Sequence, residues 1–297
     1  MGIPLPLLRE RRDRAMETLR SCRLCPRECG ANRLAGESGF CRANGGTKVA
    51  SVSLHHGEEP PISGTSGSGT VFFSHCNMSC LFCQNYPISQ MGVGERMTPV
   101  ELGDRLLDLE RKGAHNVNFV TPTPHVPQML DALLEACGNG FSLPVLYNTN
   151  GYDSMETLSL VDGIVDIYLP DMKYRTEELS VLASETPGYP VHNARAVAEM
   201  IRQVGPLDTG ADGIARRGVL IRHLVLPGKV EETERVLSFI REEYGKETPI
   251  SLMGQYFPAH RAGTVPGFTR KLRQTEYGNA VEAAVRLGLV NVYIQEI

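Results

Sequence analysis

Apolar positions along the 297-residue chain follow two alternating rhythms. From residue 70 onward, short runs rich in Val, Ile, Leu and Phe recur at 70–74, 116–121, 144–148, 164–169, 218–226, 249–254 and 290–295. Several are nearly continuous, such as Ile164-Val165-Asp166-Ile167-Tyr168-Leu169, as strands buried on both faces require. Between most of them the period lengthens to that of a helix. Val126, Met129, Leu130, Leu133, Leu134 and Cys137 mark one apolar face, which makes Cys137 a packing thiol. Ala194, Val197, Ala198 and Ile201 mark another; Val236, Phe239 and Ile240 a third; Ala280, Val281, Ala284 and Val285 the last, stopped by Gly288. Thr98-Pro99-Val100-Glu101 reads as a capping box opening a helix that carries Leu102, Leu106 and Leu109. Repeated βα units predict an α/β fold with a parallel sheet, and about six units suit an incomplete barrel.

Upstream the rhythm differs. Residues 6–20 form a basic amphipathic helix with Leu8, Ala15, Met16 and Leu19 as its apolar members. A short strand is expected at Val49-Ala50-Ser51-Val52, and His55-His56 in a polar loop after it. The run Ser63-Gly64-Thr65-Ser66-Gly67-Ser68-Gly69 reads as a junction; it is no phosphate loop, since the Gly-Lys-Ser/Thr ending is missing. Two regions are therefore expected: 1–62, a helix with a four-cysteine metal-binding segment, and 63–297, the barrel.

Composition changes this picture little. Hydrophobic residues at 41% and charged residues at 22% describe a globular chain. A formal net charge of −4 gives no electrostatic case for nucleic acid or an anionic membrane. No apolar run approaches the roughly 18 residues of a membrane span. At the N-terminus the apolar residues Met1–Leu8 precede Arg9, Arg11, Arg12 and Arg14, the reverse of a signal peptide, and Pro6 stands where myristoylation wants Ser or Thr. Of eight cysteines, seven fall in two tight clusters, which read as metal ligands in a reducing cytoplasm rather than as disulfides.

The first cluster is Cys22-x2-Cys25-x3-Cys29, with Cys41 further on. Four thiolates complete a tetrahedral zinc site or a full iron–sulfur cluster; the spacing follows no ferredoxin pattern, which leans towards a structural role. The second is Cys76-x3-Cys80-x2-Cys83, directly after the run Thr70-Val71-Phe72-Phe73. Here only three thiolates converge. His75 is the sole neighbouring donor, and a continuing strand would turn it away from Cys76. Three thiolates leave one iron of a cubane open to a substrate or cofactor.

C-x3-C-x2-C, with Phe82 before the last cysteine, resembles the signature of the radical S-adenosylmethionine (SAM) superfamily. The resemblance implies a [4Fe-4S] cluster on Cys76, Cys80 and Cys83 whose open iron chelates the amino and carboxylate groups of SAM. It also implies reductive cleavage of SAM to a 5′-deoxyadenosyl radical that takes hydrogen from a substrate, with a flavodoxin or ferredoxin as electron donor. Ligand sites in such sheets lie at the C-terminal strand ends. There, Asn148-Thr149-Asn150-Gly151, Asp171-Met172-Lys173 and Arg222-His223-Leu224-Val225-Leu226-Pro227-Gly228 resemble motifs of the glycyl-radical-enzyme activases, typified by pyruvate formate-lyase activating enzyme. The resemblance is closer to their PflX-type branch, through Gly57-Glu58-Glu59-Pro60, Phe82-Cys83-Gln84-Asn85, Gly113-Ala114-His115-Asn116 and Tyr168-Leu169-Pro170-Asp171. The implied SAM-binding residues are Thr121, Thr123, Asn148, Asn150, Asp171, Lys173, Arg222 and His223: amides and hydroxyls for ammonium and ribose, cations for carboxylate. Two departures stand out. Thr121-Pro122-Thr123 replaces the activases' Gly-Gly-Glu-type motif, and the tryptophan-bearing tail after the cysteines is missing. Both a glycine in a partner protein and a small molecule are therefore carried forward as the hydrogen donor. The competing reading is a non-catalytic zinc or iron–sulfur protein, binding metal or passing electrons.

Overall fold

The computed structural model describes residues 3–295, so Met1 and Gly2 of the N-terminal stretch lie outside the described residues. In chain order come α1 (Leu5–Thr18), β1 (Thr47–His55), α2 (Pro60–Ser63), β2 (Ser68–Phe73), α3 (Tyr86–Ser89), β3 (Glu95–Met97), α4 (Pro99–Arg111), β4 (Val117–Val120), α5 (Val126–Gly138), β5 (Val145–Thr149), α6 (Met155–Val161) and β6 (Ile167–Pro170). After them follow α7 (Glu177–Ser184), α8 (Tyr189–Val204), β7 (Asp208–Thr209), β8 (Ala215–Val219), β9 (Ile221–Leu224), α9 (Val230–Glu243), β10 (Ile250–Met253), α10 (Gln274–Arg286) and β11 (Val292–Ile294).

β2, β4, β5, β6 and β8 pair in parallel in that order, and β9, β10 and β11 form a second parallel run. A parallel bridge between Asp171 and Arg222 joins the two. The expected strand 218–226 is thus two strands broken at Leu220. The register against β6 is unchanged across the break, with Tyr168 opposite Val219 and Asp171 opposite Arg222. The strands curl into a partial barrel: one interior cavity is lined by Phe72 of β2 and by Met253 of β10, strands of the two parallel runs. The inner core is apolar, with Val71, Phe73, Val117, Phe119, Val145 and Tyr147 fully buried between sheet and helices.

The capping box at α4 is present: Thr98 accepts from the Glu101 backbone N–H, and the Glu101 carboxylate accepts from that of Thr98. α1 buries Leu8 and Ala15 against α5 and α6. Cys137 packs, half-buried, against the core.

β1 is longer than the Val49–Val52 stretch expected and runs antiparallel to β2, with Val52 opposite Val71. The N-terminal segment thereby extends the same sheet across the expected junction at residues 62 and 63. Buried Arg33 ties it further, donating to the carbonyls of Pro124 (2.7 Å) and Asn44 (2.8 Å).

Candidate functional site

The cysteine loop springs from β2 and is held by the barrel's top rather than by itself. Ser79 and Leu81 donate backbone N–H groups to the carbonyls of Ser184 (3.0 Å) and Ala183 (2.9 Å) at the end of α7. Phe82 packs on Tyr256 and Phe268, while Met78, Leu81, Tyr152, Tyr174 and Tyr189 complete an apolar bed beneath it. Arg261 donates to Ser79 O (2.9 Å) from the loop after β10. Each thiol has a polar neighbour. Asn150 Nδ2 lies 3.4 Å from Cys76 Sγ, Ser184 Oγ donates to Cys80 Sγ at 3.0 Å, and Ser89 Oγ lies 3.2 Å from Cys83 Sγ.

Below the loop a cavity of about 310 Å³ opens into the barrel, within the size range of small-molecule sites. Cys80, Cys83, Asn148, Asp171, Lys173 and Arg222 all line it. Asp171 is its electrostatic hub: one carboxylate oxygen takes Lys173 Nζ at 2.5 Å, the other Arg222 Nε at 3.0 Å. Arg222 also donates to Asn148 Oδ1 at 2.6 Å. Burial alone would raise the Asp171 carboxyl, but Arg222 and Lys173 hold it below its ordinary value. Burial drives the Cys76 thiol well up and pushes Cys80 to about 11, partly countered by Lys173. Metal binding reverses this, because a coordinating thiol is deprotonated outright.

The other sequence-derived candidates sit elsewhere. Asn150 braces the cysteine loop, donating to Asn77 Oδ1 (2.8 Å), and Gly151 follows it at φ +74° where a Cβ would collide with Asn193. Thr121 lies outside the cavity lining in the left-handed region (φ +58°), a strained place for a β-branched residue, with its N–H on Asn148 O (2.9 Å). Thr123 is buried and donates to Asp153 (2.8 Å), away from the cavity. His223 does not line the cavity. It follows Arg222 on β9, so the pleat turns it to the other face, where its ring nitrogens meet Met172 O (2.7 Å) and Thr233 Oγ1 (2.9 Å). Burial pushes its pKa down to about 4. His75 leaves the strand altogether (φ +76°).

Two acidic residues to which the sequence assigned no role enter here. Glu58 lines the cavity and faces Arg222 at 3.5 Å; burial raises its carboxyl. Glu59 beside it is buried. Their signal in the sequence is the Gly57-Glu58-Glu59-Pro60 motif.

All four N-terminal cysteines, Cys22, Cys25, Cys29 and Cys41, line one small void of about 20 Å³, shared with Asn77, Thr123 and Pro124. Burial pushes Cys25 up to about 12. Arg27 links this site to the cysteine loop: its Nε donates to Asn77 O (2.8 Å) and its guanidinium stacks on Phe40 at 3.4 Å. Asn77 thus borders both cysteine sets.

Among the described residues, no three His, Cys, Asp or Glu donors are already gathered at metal-holding distance, in the N-terminal set any more than in the cysteine loop. A tetrahedral zinc with Zn–S near 2.3 Å would hold thiolates roughly 3.8 Å apart. A cluster distributes its thiolates over separate irons; of the three hydrogen-bonded thiols, Cys80 and Cys83 stand at the cavity.

The sequence profile described as the Radical SAM superfamily matches residues 70–240. An uncharacterised protein of Methanocaldococcus jannaschii is 31% identical over 289 residues, covering 94% of this chain and 78% of the relative. A second from that organism is 25% identical over 296 residues, covering 93% and 81%. Among solved structures, HydG, a maturase of the [FeFe]-hydrogenase, superposes with a TM-score of 0.53 at 14% identity, covering 97% of this chain and 64% of its own. The structure of anSMEcpe with bound AdoMet and Kp18Cys peptide gives 0.52 at 11% identity, covering 79% and 62%. At such identities the likeness is one of fold. The chain spans about half the length of SuiB of Streptococcus suis, another solved structure it matches (47%).

Proposed function

Since the chain belongs to the radical SAM superfamily, a family of enzymes whose membership implies a [4Fe-4S] cluster and SAM, we propose that Cys76, Cys80 and Cys83 hold that cluster and that the cavity below holds SAM and a substrate. The cluster, when bound, supplies the electron that splits the SAM sulfonium, leaving a 5′-deoxyadenosyl radical that takes a hydrogen atom from the substrate. The chain's own part is positional. Asn148 and the Asp171–Lys173–Arg222 network present amide and cationic donors fixed by burial, suited to a carboxylate and a ribose. Ser184, Ser89 and Asn150 orient the thiols and steady the charge of their thiolates. The apolar bed around Phe82 shields the loop from water.

One observation carries the reading: a single cavity unites two cysteines of the three-thiol loop with Asn148, Asp171, Lys173 and Arg222. A non-catalytic metal protein has no need of that set. In the narrower, activase-like version the hydrogen donor is a glycine of a partner protein, and the electron comes from a flavodoxin or ferredoxin. Cys22, Cys25, Cys29 and Cys41 hold a second centre, zinc or an auxiliary cluster, that staples the N-terminal segment to the barrel. The test is anaerobic reconstitution with iron and sulfide, followed by SAM and dithionite. Wild type forms 5′-deoxyadenosine and Cys80→Ala forms none; iron-loaded wild type that leaves SAM intact would remove the reading.

A further inference from the structure

Arg33 is a cation held out of water with no carboxylate to match it. The side chain is 1% exposed. Its guanidinium donates to two backbone carbonyls, Pro124 O at 2.7 Å and Asn44 O at 2.8 Å, and meets Cys22 Sγ at 3.9 Å. Carbonyls satisfy N–H groups but leave the charge unbalanced, and an unbalanced buried charge is costly to keep. The titratable groups around it do not help. His75 and His125 are held towards their neutral form by burial and by neighbouring cations, Arg33 among them, and Glu37 turns to the backbone N–H of Asn32 (2.8 Å). The four N-terminal cysteines stand beside it: Cys22 and Pro124, both touched by Arg33, line the small void with Cys25, Cys29 and Cys41. Arg27 lines the same void, and its partners are Asn77 O, Glu185 O and the Phe40 ring. Neither guanidinium has a carboxylate partner among the described residues. Protonated thiols carry no charge to offset them. Four thiolates around a zinc ion or an oxidised iron–sulfur cluster leave a doubly negative centre, which two positive charges balance.

We propose that Arg33 is the buried counter-cation of a doubly negative tetrathiolate centre on Cys22, Cys25, Cys29 and Cys41, and that its charge is what makes this set retain a metal. The inference rests on the second-centre reading given above and deepens it by naming a positioning residue. It couples the charge at position 33 to metal occupancy. With the centre loaded, the guanidinium faces an anion across Cys22; with the centre empty, it is an unpaired charge inside the protein. An arginine that only clamped the N-terminal segment to the barrel, through Pro124 and Asn44, would matter equally in both states.

The test uses the full chain carrying Cys80→Ala, which removes the cluster on the cysteine loop and leaves the N-terminal set intact. The protein is loaded in one arm with zinc and in the other with iron and sulfide, and retention is measured by competition with a chelator. The two arms identify the metal, and retention in either supports the centre. Adding Arg33→Gln is expected to weaken retention by about tenfold or more, as loss of a partly buried charge interaction predicts, while Arg33→Lys keeps most of it. Urea unfolding of the metal-free proteins is expected to show Arg33→Gln no less stable than its Arg33 parent. Retention unchanged in Arg33→Gln overturns the proposal. So does a metal-free Arg33→Gln protein that is destabilised or fails to fold while its parent folds, which would make Arg33 a clamp. Failure of the parent to hold metal in both arms overturns the second-centre reading itself, and is thereby distinguished from failure of the arginine's role.

Discussion

Ser184 shows how much of this site depends on single atoms. Its hydroxyl donates to Cys80 Sγ at 3.0 Å, and hydrogen bonds to cluster sulfurs raise reduction potential by stabilising the more negative, reduced state. Ser184→Ala is therefore expected to lower the potential of the cluster on this loop in an EPR-monitored redox titration, with iron content retained. An unchanged or higher potential would mean that the contact does not act on the cluster. The sequence exposed the thiols by their spacing, but nothing in it marked Ser184, which lies more than one hundred residues away and arrives through α7. Glu58 and Glu59 were similarly opaque. Their chemistry depends on β1 pairing with β2, a long-range antiparallel contact that local patterning cannot reveal.

At the scale of elements, β9 illustrates what period-2 geometry decides. Arg222 points into the cavity and His223 into the space beneath α9, although the two are adjacent in a motif. A histidine kept neutral with its pKa near 4, against 6.5 when free, makes folding pH-dependent. Its contribution is fully present above pH 6.5 and is lost as the pH falls towards about 4, because the unfolded chain takes up the proton first. The loss amounts to about 3 kcal/mol at 1.36 kcal/mol per pH unit. Urea titrations between pH 7 and pH 4 should show this slope, and His223→Gln should flatten it; parallel slopes would contradict the account. The strands and helices themselves were legible, since buried parallel strands are apolar runs and the helices keep a 3.6-residue period. The split of 218–226 into β8 and β9 was not, because Leu220 continues the apolar run through the break.

For the whole molecule, the two cysteine sets are neighbours joined by Arg27 and Asn77, two residues fifty positions apart in sequence. Arg27→Ala removes the hydrogen bond to Asn77 O and the stack on Phe40, at a cost of about 2 kcal/mol. In equilibrium unfolding the variant should be less stable by that amount, and a chelator should strip its iron faster. Wild-type stability and iron retention would mean that the N-terminal segment and the barrel are not coupled through this arginine. The tight cysteine spacings mark two candidate metal-binding segments; only the fold places Asn77 against each.

The central claim is an open iron, held by Cys76, Cys80 and Cys83, that takes the amino group of SAM. ENDOR spectroscopy of the reduced, reconstituted protein with SAM carrying ¹⁵N at its methionine amino group addresses that contact directly. A ¹⁵N hyperfine coupling to the cluster, lost in Cys80→Ala, is the predicted result. Reduced cluster with SAM bound and no nitrogen coupling would contradict it.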